Sequence, residues 1–400
     1  MKKIIIFLLA IVSIFSCASC TDFSSDYNIT ESFNSNQVSY YSYSSDFTFE
    51  APSSYSSSSR YNYSSNNFSN AQSSNDTVPT FYSLDSLRDY LNQQKNKDVF
   101  EIPFKFKGSD EITPRMLAQM TSALFVNHNL SGDTHTLTVS EYPGDHIVDA
   151  YFSSDKSGLT ADEKKAMEKA IQMVNTAKSK AKNNWELELQ IHDMLADHIT
   201  YYDDVRDFDR PEDAPRYLTI IGALLDGKAN CQGYSDAFYT LASIAGFTVS
   251  RMNTETTDDL HVVNTILLNG SWYVVDVTFD DQGSEAPTNY RLFNAGLDRI
   301  EEFFWKPWKE INKISATSPK EYYYNYKGTL FSNAQSLAQY VVNCWQGGEK
   351  TIRGAVTNLS DYKSIETPLS DLLEKTGKAY NYKYWCSNSG KDIYYTFVFN

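Results

Sequence analysis

The stretch Gly227-Lys228-Ala229-Asn230-Cys231-Gln232-Gly233-Tyr234-Ser235-Asp236-Ala237-Phe238 sets a cysteine at the start of a helix. Beyond it, Ala237, Phe238, Leu241, Ile244 and Ala245 recur at helical spacing, and Gly246 supplies a stop. The first turn of a helix carries unpaired N–H groups and the positive end of the helix dipole, so it favours an anion. Such surroundings lower a thiol pKa from about 8.5 towards the roughly 3.5–7.5 of reactive cysteines. They also put a backbone N–H, that of Cys231 itself, where a developing oxyanion needs a donor. The competing role for Cys231 is that of a small buried residue.

Downstream, His261-Val262-Val263-Asn264-Thr265-Ile266-Leu267-Leu268 and Ser271-Trp272-Tyr273-Val274-Val275-Asp276 flank Asn269-Gly270. Asn-Gly between β-rich runs is a strong hairpin signal. A two-residue turn sets His261 opposite Thr278 and Asp276 opposite Val263, so Asp276 lies diagonal to His261 on one face. That diagonal is about 7–8 Å. A carboxylate there orients the imidazole, which pairs with a thiolate docked on the same face. The order is nucleophile, base, orienting group. The plainer reading of Asp276 is a cap at the strand end.

These three motifs resemble the transglutaminase-like superfamily of papain-type cysteine enzymes, in its bacterial surface-protein branch. That branch reads G-K-x-x-C-x-G-Y, then H-x-x-N, then W-Y-x-V-D-x-T, as Gly227–Tyr234, His261–Asn264 and Trp272–Thr278 do here. The stretch Ile191–Leu195, with Ile199-Thr200-Tyr201, is similar to the family's helix before the nucleophile. The resemblance covers about 185–300. It implies an α+β core of helices packed on an antiparallel sheet, with Cys231, His261 and Asp276 as catalytic triad. The implied reaction is amide hydrolysis or acyl transfer through a thioester, on protein or cell-wall peptide. Two departures bear on which: Gln232 stands where animal cross-linking enzymes carry Trp, and Phe279 where the family often has Trp. Gln232, Tyr201 and Tyr202 are candidates to line the cleft, with core packing the competing role for the tyrosines.

The chain around this core is long and uneven. Its 400 residues carry a net charge of −15 and are 41% hydrophobic, which excludes wholesale disorder and argues against a nucleic-acid partner. Lys2 and Lys3 precede an apolar run from Ile4 to Phe15 and then Ser16-Cys17-Ala18-Ser19-Cys20. Residues 1–20 thus read as an export signal, too short to span a bilayer. They resemble a bacterial lipobox in which Cys17 or Cys20 takes the lipid. The expected location is the bacterial cell surface, membrane-anchored, or secreted if the lipobox is not used. In residues 21–80, Ser, Asn and Tyr make up 34 of 60 positions, with no Leu, Met or Lys. Residues 21–79 therefore read as a disordered tether.

The folded part divides into an N-terminal α/β unit (80–154), a catalytic domain (155–315) and a C-terminal α/β unit (316–400). The two end units read as an internal repeat. Thr80-Phe81-Tyr82-Ser83 leads into Ser86-Leu87-Arg88-Asp89-Tyr90, and Thr329-Leu330-Phe331-Ser332 into Ser336-Leu337-Ala338-Gln339-Tyr340. In each, a helix, a strand, a second helix (Met116–Phe125; Leu369–Thr376) and two strands follow. The closing strands are expected at Thr136–Glu141 and His146–Phe152, and at Ala379–Trp385 and Asp392–Phe399. Cys344 and Cys386 are candidates for a disulfide in an exported chain. No zinc-type spacing, phosphate loop or dinucleotide fingerprint is present, so no cofactor is expected. A rival to the enzyme reading is a surface binding or adhesion module whose triad is vestigial.

Overall fold

The computed structural model describes residues 24–25, 78–95, 101–112, 117, 120, 125–202, 214–255, 260–296, 299, 319–389 and 392–400. The export signal and nearly all of the tether lie outside these residues. Ser24 and Ser25 are described and pair antiparallel with Trp385 and Tyr384.

The N-terminal unit opens with β1 (Thr80–Phe81) and α1 (Leu84–Lys95). Ser83 caps α1, its Oγ accepting from Ser86 N at 3.3 Å. Leu87 and Leu91, four apart, turn the same helix face inward. Strand β2 (Glu101–Phe106) alternates, burying Ile102 and Phe104. A hairpin of β3 (Phe125–Ser131) and β4 (Thr134–Ser140) closes the unit through Gly132, whose φ is +66°. The strand order is β1–β2–β4–β3, with β1 parallel to β2 and the other neighbours antiparallel.

From there the chain enters a layer of helices. The segment from His146 to Phe152 is not a strand: it lies within α2 (Pro143–Ser153). Pro143 occupies the first helical position, where its missing N–H costs nothing. The closing pair of the N-terminal unit is therefore β3 and β4, one strand earlier than expected. Phe125 begins a strand, and most of the expected helix Met116–Phe125 lies outside the described residues. Helix α3 (Ala161–Lys180) starts with a capping box, Glu163 N to Thr160 Oγ1 at 3.2 Å and Thr160 N to Glu163 Oε2 at 2.7 Å. Helix α4 (Asn184–His198) buries Leu187, Ile191 and Leu195. Strand β5 (Thr200–Tyr201) runs parallel to β6 (Lys228–Ala229), which feeds α5 (Cys231–Ala245).

Strands β7 (Thr248–Glu255), β8 (Leu260–Leu268), β9 (Ser271–Val275) and β10 (Phe293–Ala295) form a sheet in the order β10–β9–β8–β7. Asn269 and Gly270 turn the hairpin with φ of +50° and +82°, as a type I′ turn requires. The ladder is shorter than expected. β9 ends at Val275 and α6 (Val277–Asp280) begins, so Thr278 is helical and is not a strand partner for His261.

The C-terminal unit repeats the N-terminal one. Strand β11 (Leu330–Phe331), α7 (Ala334–Gln346), β12 (Thr351–Thr357), α8 (Glu366–Thr376), β13 (Tyr382–Ser389) and β14 (Asp392–Phe399) give the order β11–β12–β14–β13, with the same pattern of parallel and antiparallel neighbours. The register agrees as well. Thr80 pairs with Lys105 and Phe81 with Phe106; Leu330 pairs with Ala355 and Phe331 with Val356. Lys105 N donates to Pro79 O at 2.8 Å, and Ala355 N to Thr329 O at 2.9 Å. Ser83 and Asn333 cap corresponding helices. The rings of Phe81 and Tyr90 lie 4.9 Å apart, those of Phe331 and Tyr340 5.3 Å. Phe81 thus corresponds to Phe331, not to Leu330: the strands align one residue away from the Thr80/Thr329 match.

Residues 48–254 together with 261–267 group into one unit, and 268–400 form most of a second, which also takes in Ser24 and Ser25. The second unit is tied internally by the buried Arg299–Asp392 ion pair and by Arg353 Nε, which donates to Thr288 O at 2.9 Å. Cys344 and Cys386 are both free thiols, so the expected staple is not formed. Cys344 hydrogen-bonds Tyr340 one turn earlier on α7, while Cys386 is buried among aromatic rings. Among the described residues, no helix is long and apolar enough to cross a membrane.

Candidate active site

Each residue around Cys231 has a local reason. The chain leaves a π-helical turn (Gly222–Asp226) through Gly227, which takes φ +66° and sits where a Cβ would meet His198 O at 3.2 Å. Strand β6 follows, with Thr200 N donating to Gly227 O and Tyr202 N to Ala229 O. Asn230 then caps α5: its Oδ1 accepts from Gln232 N at 3.0 Å and Gly233 N at 3.3 Å. Two of the first helix amides are thereby used, and the N–H of Cys231 is the one Asn230 leaves. Gly233 allows the first turn to press against its neighbours, since a Cβ there would lie 2.6 Å from Tyr217 O and 2.7 Å from Ala229 Cβ. Tyr234 donates its hydroxyl to Ile199 O at 3.0 Å. The motif is thus a turn, a two-residue strand, a cap and a close approach, which together fix the thiol at the first position of α5. Cys231 is buried and free of any disulfide.

His261 is the second residue of β8 and is buried. Strand and helix are joined a short way on. Ser235 Oγ donates to Asn264 Oδ1 at 3.0 Å, and Asn264 Nδ2 donates to Ser235 O, also at 3.0 Å. The Asn of the His261–Asn264 motif therefore holds β8 to the helix that carries Cys231. Asp276, buried too, lies at the end of β9 in the second unit. Its Oδ1 accepts from Phe279 N at 3.2 Å and so caps α6, and its own N–H donates to Leu292 O at 3.3 Å.

Behind Cys231 stands a buried ion cluster that the sequence reading missed. Arg251 on β7 reaches Asp236 of α5 and Asp145 of α2, the latter at 3.0 Å. Its guanidinium lies over the rings of Tyr142 and Tyr239, at 4.3 and 3.9 Å from their centroids. Burial works against its charge, yet Asp145 and Asp236 hold Arg251 above its usual range. Asp236 also accepts from Ile220 N at 2.8 Å and Gly144 N at 3.3 Å. Helix α2 is thus bound to the nucleophile helix, which its expected place in a separate N-terminal strand had hidden.

Of the candidate cleft residues, Gln232 donates through Nε2 to the Tyr142 hydroxyl at 3.1 Å. Tyr201 is half exposed, with its ring 6.5 Å from that of Tyr234. Tyr202 packs on Tyr217 at 4.5 Å, and Tyr217 O accepts from Asn230 N. Both tyrosines therefore flank the strand pair that delivers the nucleophile. Among the described residues, no group of three His, Cys, Asp or Glu side chains is placed to hold a metal.

Residues 170–277 match the model of the transglutaminase-like superfamily, a span that includes Cys231, His261 and Asp276. No curated protein matches the chain. Among solved structures, a TGase crystal structure is similar at 14% identity and TM-score 0.28, over 53% of this chain and 62% of that one. A candidate cysteine protease from Cytophaga hutchinsonii is similar at 10% identity and TM-score 0.24, over 40% and 63%. A third structure, a candidate protease from Parabacteroides distasonis, gives 12% identity and TM-score 0.21, over 69% and 56%. The chain spans less than two thirds of the length of each.

Proposed function

With residues 170–277 belonging to the transglutaminase-like superfamily, we propose that this chain is a cysteine-dependent amide hydrolase or acyl transferase acting on protein or cell-wall peptide. Cys231 is the nucleophile, His261 the base and Asp276 the group that orients His261. The observation that carries this reading is the placement of Cys231 at the first position of a capped helix whose second turn is bonded to the strand of His261. The thiolate attacks an amide carbonyl, His261 protonates the departing amine, and water or a second amine resolves the thioester. Hydrolysis is the default where water reaches the acyl-enzyme. Lys2, Lys3 and the apolar run to Phe15 support export with anchoring through Cys17 or Cys20.

The test is alkylation of the full chain by iodoacetamide, read by mass spectrometry at each cysteine. Cys231 should react faster at pH 6 than Cys344, whose thiol burial pushes up, and that advantage should be lost in His261→Ala. Equal rates for the two cysteines, unmoved by His261→Ala, would point instead to a binding module. Any peptide cleavage or isopeptide formation must vanish in Cys231→Ala.

A further inference from the structure

Tyr142 enters the site from outside the segment that matches the family. It follows β4 and immediately precedes Pro143, which holds it in extended backbone at φ −79° and ψ 141°. The next two residues are fastened to the ion cluster, Gly144 N to Asp236 and Asp145 to Arg251. One face of the Tyr142 ring lies under the Arg251 guanidinium at 4.3 Å. The side chain is 1% exposed, so the ring is packed on all sides. Its hydroxyl accepts from Gln232 Nε2, the side chain next to the nucleophile, at 3.1 Å. A charge on Cys231 adds a small upward push on the phenol, the least of the influences on it. Among the described residues the phenol accepts this one bond and donates none, so its proton is unspent. Burial pushes the phenol pKa up, which keeps that proton in place.

A buried hydroxyl with an unused proton beside a nucleophile needs an acceptor, and the described residues supply none. We propose that Tyr142 is a catalytic hydrogen-bond donor: its O–H and the Cys231 N–H together hold the oxygen that becomes negative when Cys231 attacks. The inference rests on the reading of Cys231 as nucleophile. In the step, the sulfur lone pair forms the C–S bond and the carbonyl π pair moves onto oxygen. The Cys231 proton passes to His261. On collapse the C=O re-forms, the C–N bond breaks and the amine leaves with the proton from His261. Tyr142 keeps its proton throughout and lends it as a hydrogen bond. Gln232, by occupying the phenol's lone pair, turns that proton away from itself and is a positioning residue.

The test separates a reaction that builds an oxyanion from one that does not. Acylation of Cys231 by p-nitrophenyl acetate passes through a tetrahedral oxyanion. Alkylation by iodoacetamide displaces iodide at saturated carbon and makes none. In the full chain, Tyr142→Phe keeps the ring under Arg251 and should lower the acylation rate about 10²-fold, the usual cost of one such donor. Its alkylation rate at Cys231, and the pH dependence of that rate, should match the unaltered protein, which also shows that the site remains folded. Equal losses in both reactions, or no loss in either, would overturn the donor role. If Cys231 of the unaltered protein takes up neither reagent faster than Cys344, the nucleophile reading falls first, and the Tyr142 proposal with it.

Discussion

Ser235 and Asn264 exchange two hydrogen bonds, hydroxyl to amide oxygen and amide nitrogen to carbonyl, each at 3.0 Å. One stands four residues beyond Cys231, the other three beyond His261. Replacing Asn264 by Ala leaves the buried Ser235 hydroxyl without its acceptor, which costs about 1–3 kcal/mol. Because the same pair holds β8 to α5, the variant should also lose the His261-dependent part of Cys231 alkylation at pH 6. Urea melts and the alkylation rate check the two effects separately. An intact alkylation rate in a destabilised variant would limit Asn264 to stability.

Gly233→Ala should be worse than its single methyl suggests. The new Cβ would meet Tyr217 O at 2.6 Å and Ala229 Cβ at 2.7 Å, both parts of the strand and turn that set Asn230. A helix start cannot move away without giving up the Asn230 cap. The expected outcome is a loss of about 1–3 kcal/mol, of the size found when a packed site is overfilled. Gly132→Ala has open space around its Cβ, but its φ of +66° strains any side chain. A comparison of thermal melts separates crowding at Gly233 from backbone strain at Gly132, and only Gly233→Ala should slow thiol alkylation.

His146 bridges Glu141 and Glu163, at 3.4 and 2.7 Å. Hydrogen bonds to Glu141 and then Glu163 raise its pKa to about 10. A histidine whose folded pKa exceeds its unfolded value of about 6.5 contributes stability that is complete below pH 6.5. The contribution declines as pH rises through about 10. His146→Gln should therefore lower the melting temperature at pH 6 and bring it close to the unaltered protein at pH 10.5. A constant difference across that range would show that His146 is not charged in the fold.

Arg299 pairs with fully buried Asp392, donates to Tyr394 Oη at 3.0 Å and lies over the Tyr322 ring at 4.3 Å. Removing one partner of such a pair strands a buried charge and costs about 3–5 kcal/mol. Arg299→Met should therefore be severely destabilising in urea melts. The double variant Arg299→Met with Asp392→Leu should recover most of that loss. If it recovers none, the packing of the Arg299 stem on Tyr322 matters more than the charge.

The nucleophile region was legible because its requirements are local. A helix period, a stop glycine and an Asn-Gly hairpin each act within a few residues of themselves, so Gly246 and Gly270 announce their roles, whereas the turn at Gly227 and the cap at Asn230 came only with the structure. The repeat was legible as an order of elements but not in register, because few identities survive between the copies. Thr80 and Thr329 look alike, yet the ladder aligns Phe81 with Phe331. Helix α2 was misread because Ile147, Val148, Tyr151 and Phe152 suit a strand as well as a helix. Pro143 was the signal that could have decided it. That error hid Tyr142, Gly144 and Asp145, whose partners Gln232, Asp236 and Arg251 are far away in sequence. No periodicity reports a contact of that range. The expected disulfide failed for a related reason, since cysteine spacing says nothing about where two side chains point.

The matched register of the two end units has a consequence for engineering. Residues 80–106 and 330–356 have the same length, the same cap position and the same parallel ladder, so the two segments should exchange as a cassette without insertion or deletion. The exchange must be made whole. Phe104 corresponds to Gly354, and a Cβ at Gly354 would already lie 2.4 Å from Leu337 Cδ1. A cassette that moves Leu87 and Phe104 together carries its own fit with it. Grafting Phe104 alone would drive it into the helix, so each copy has settled its own division of volume on a shared frame.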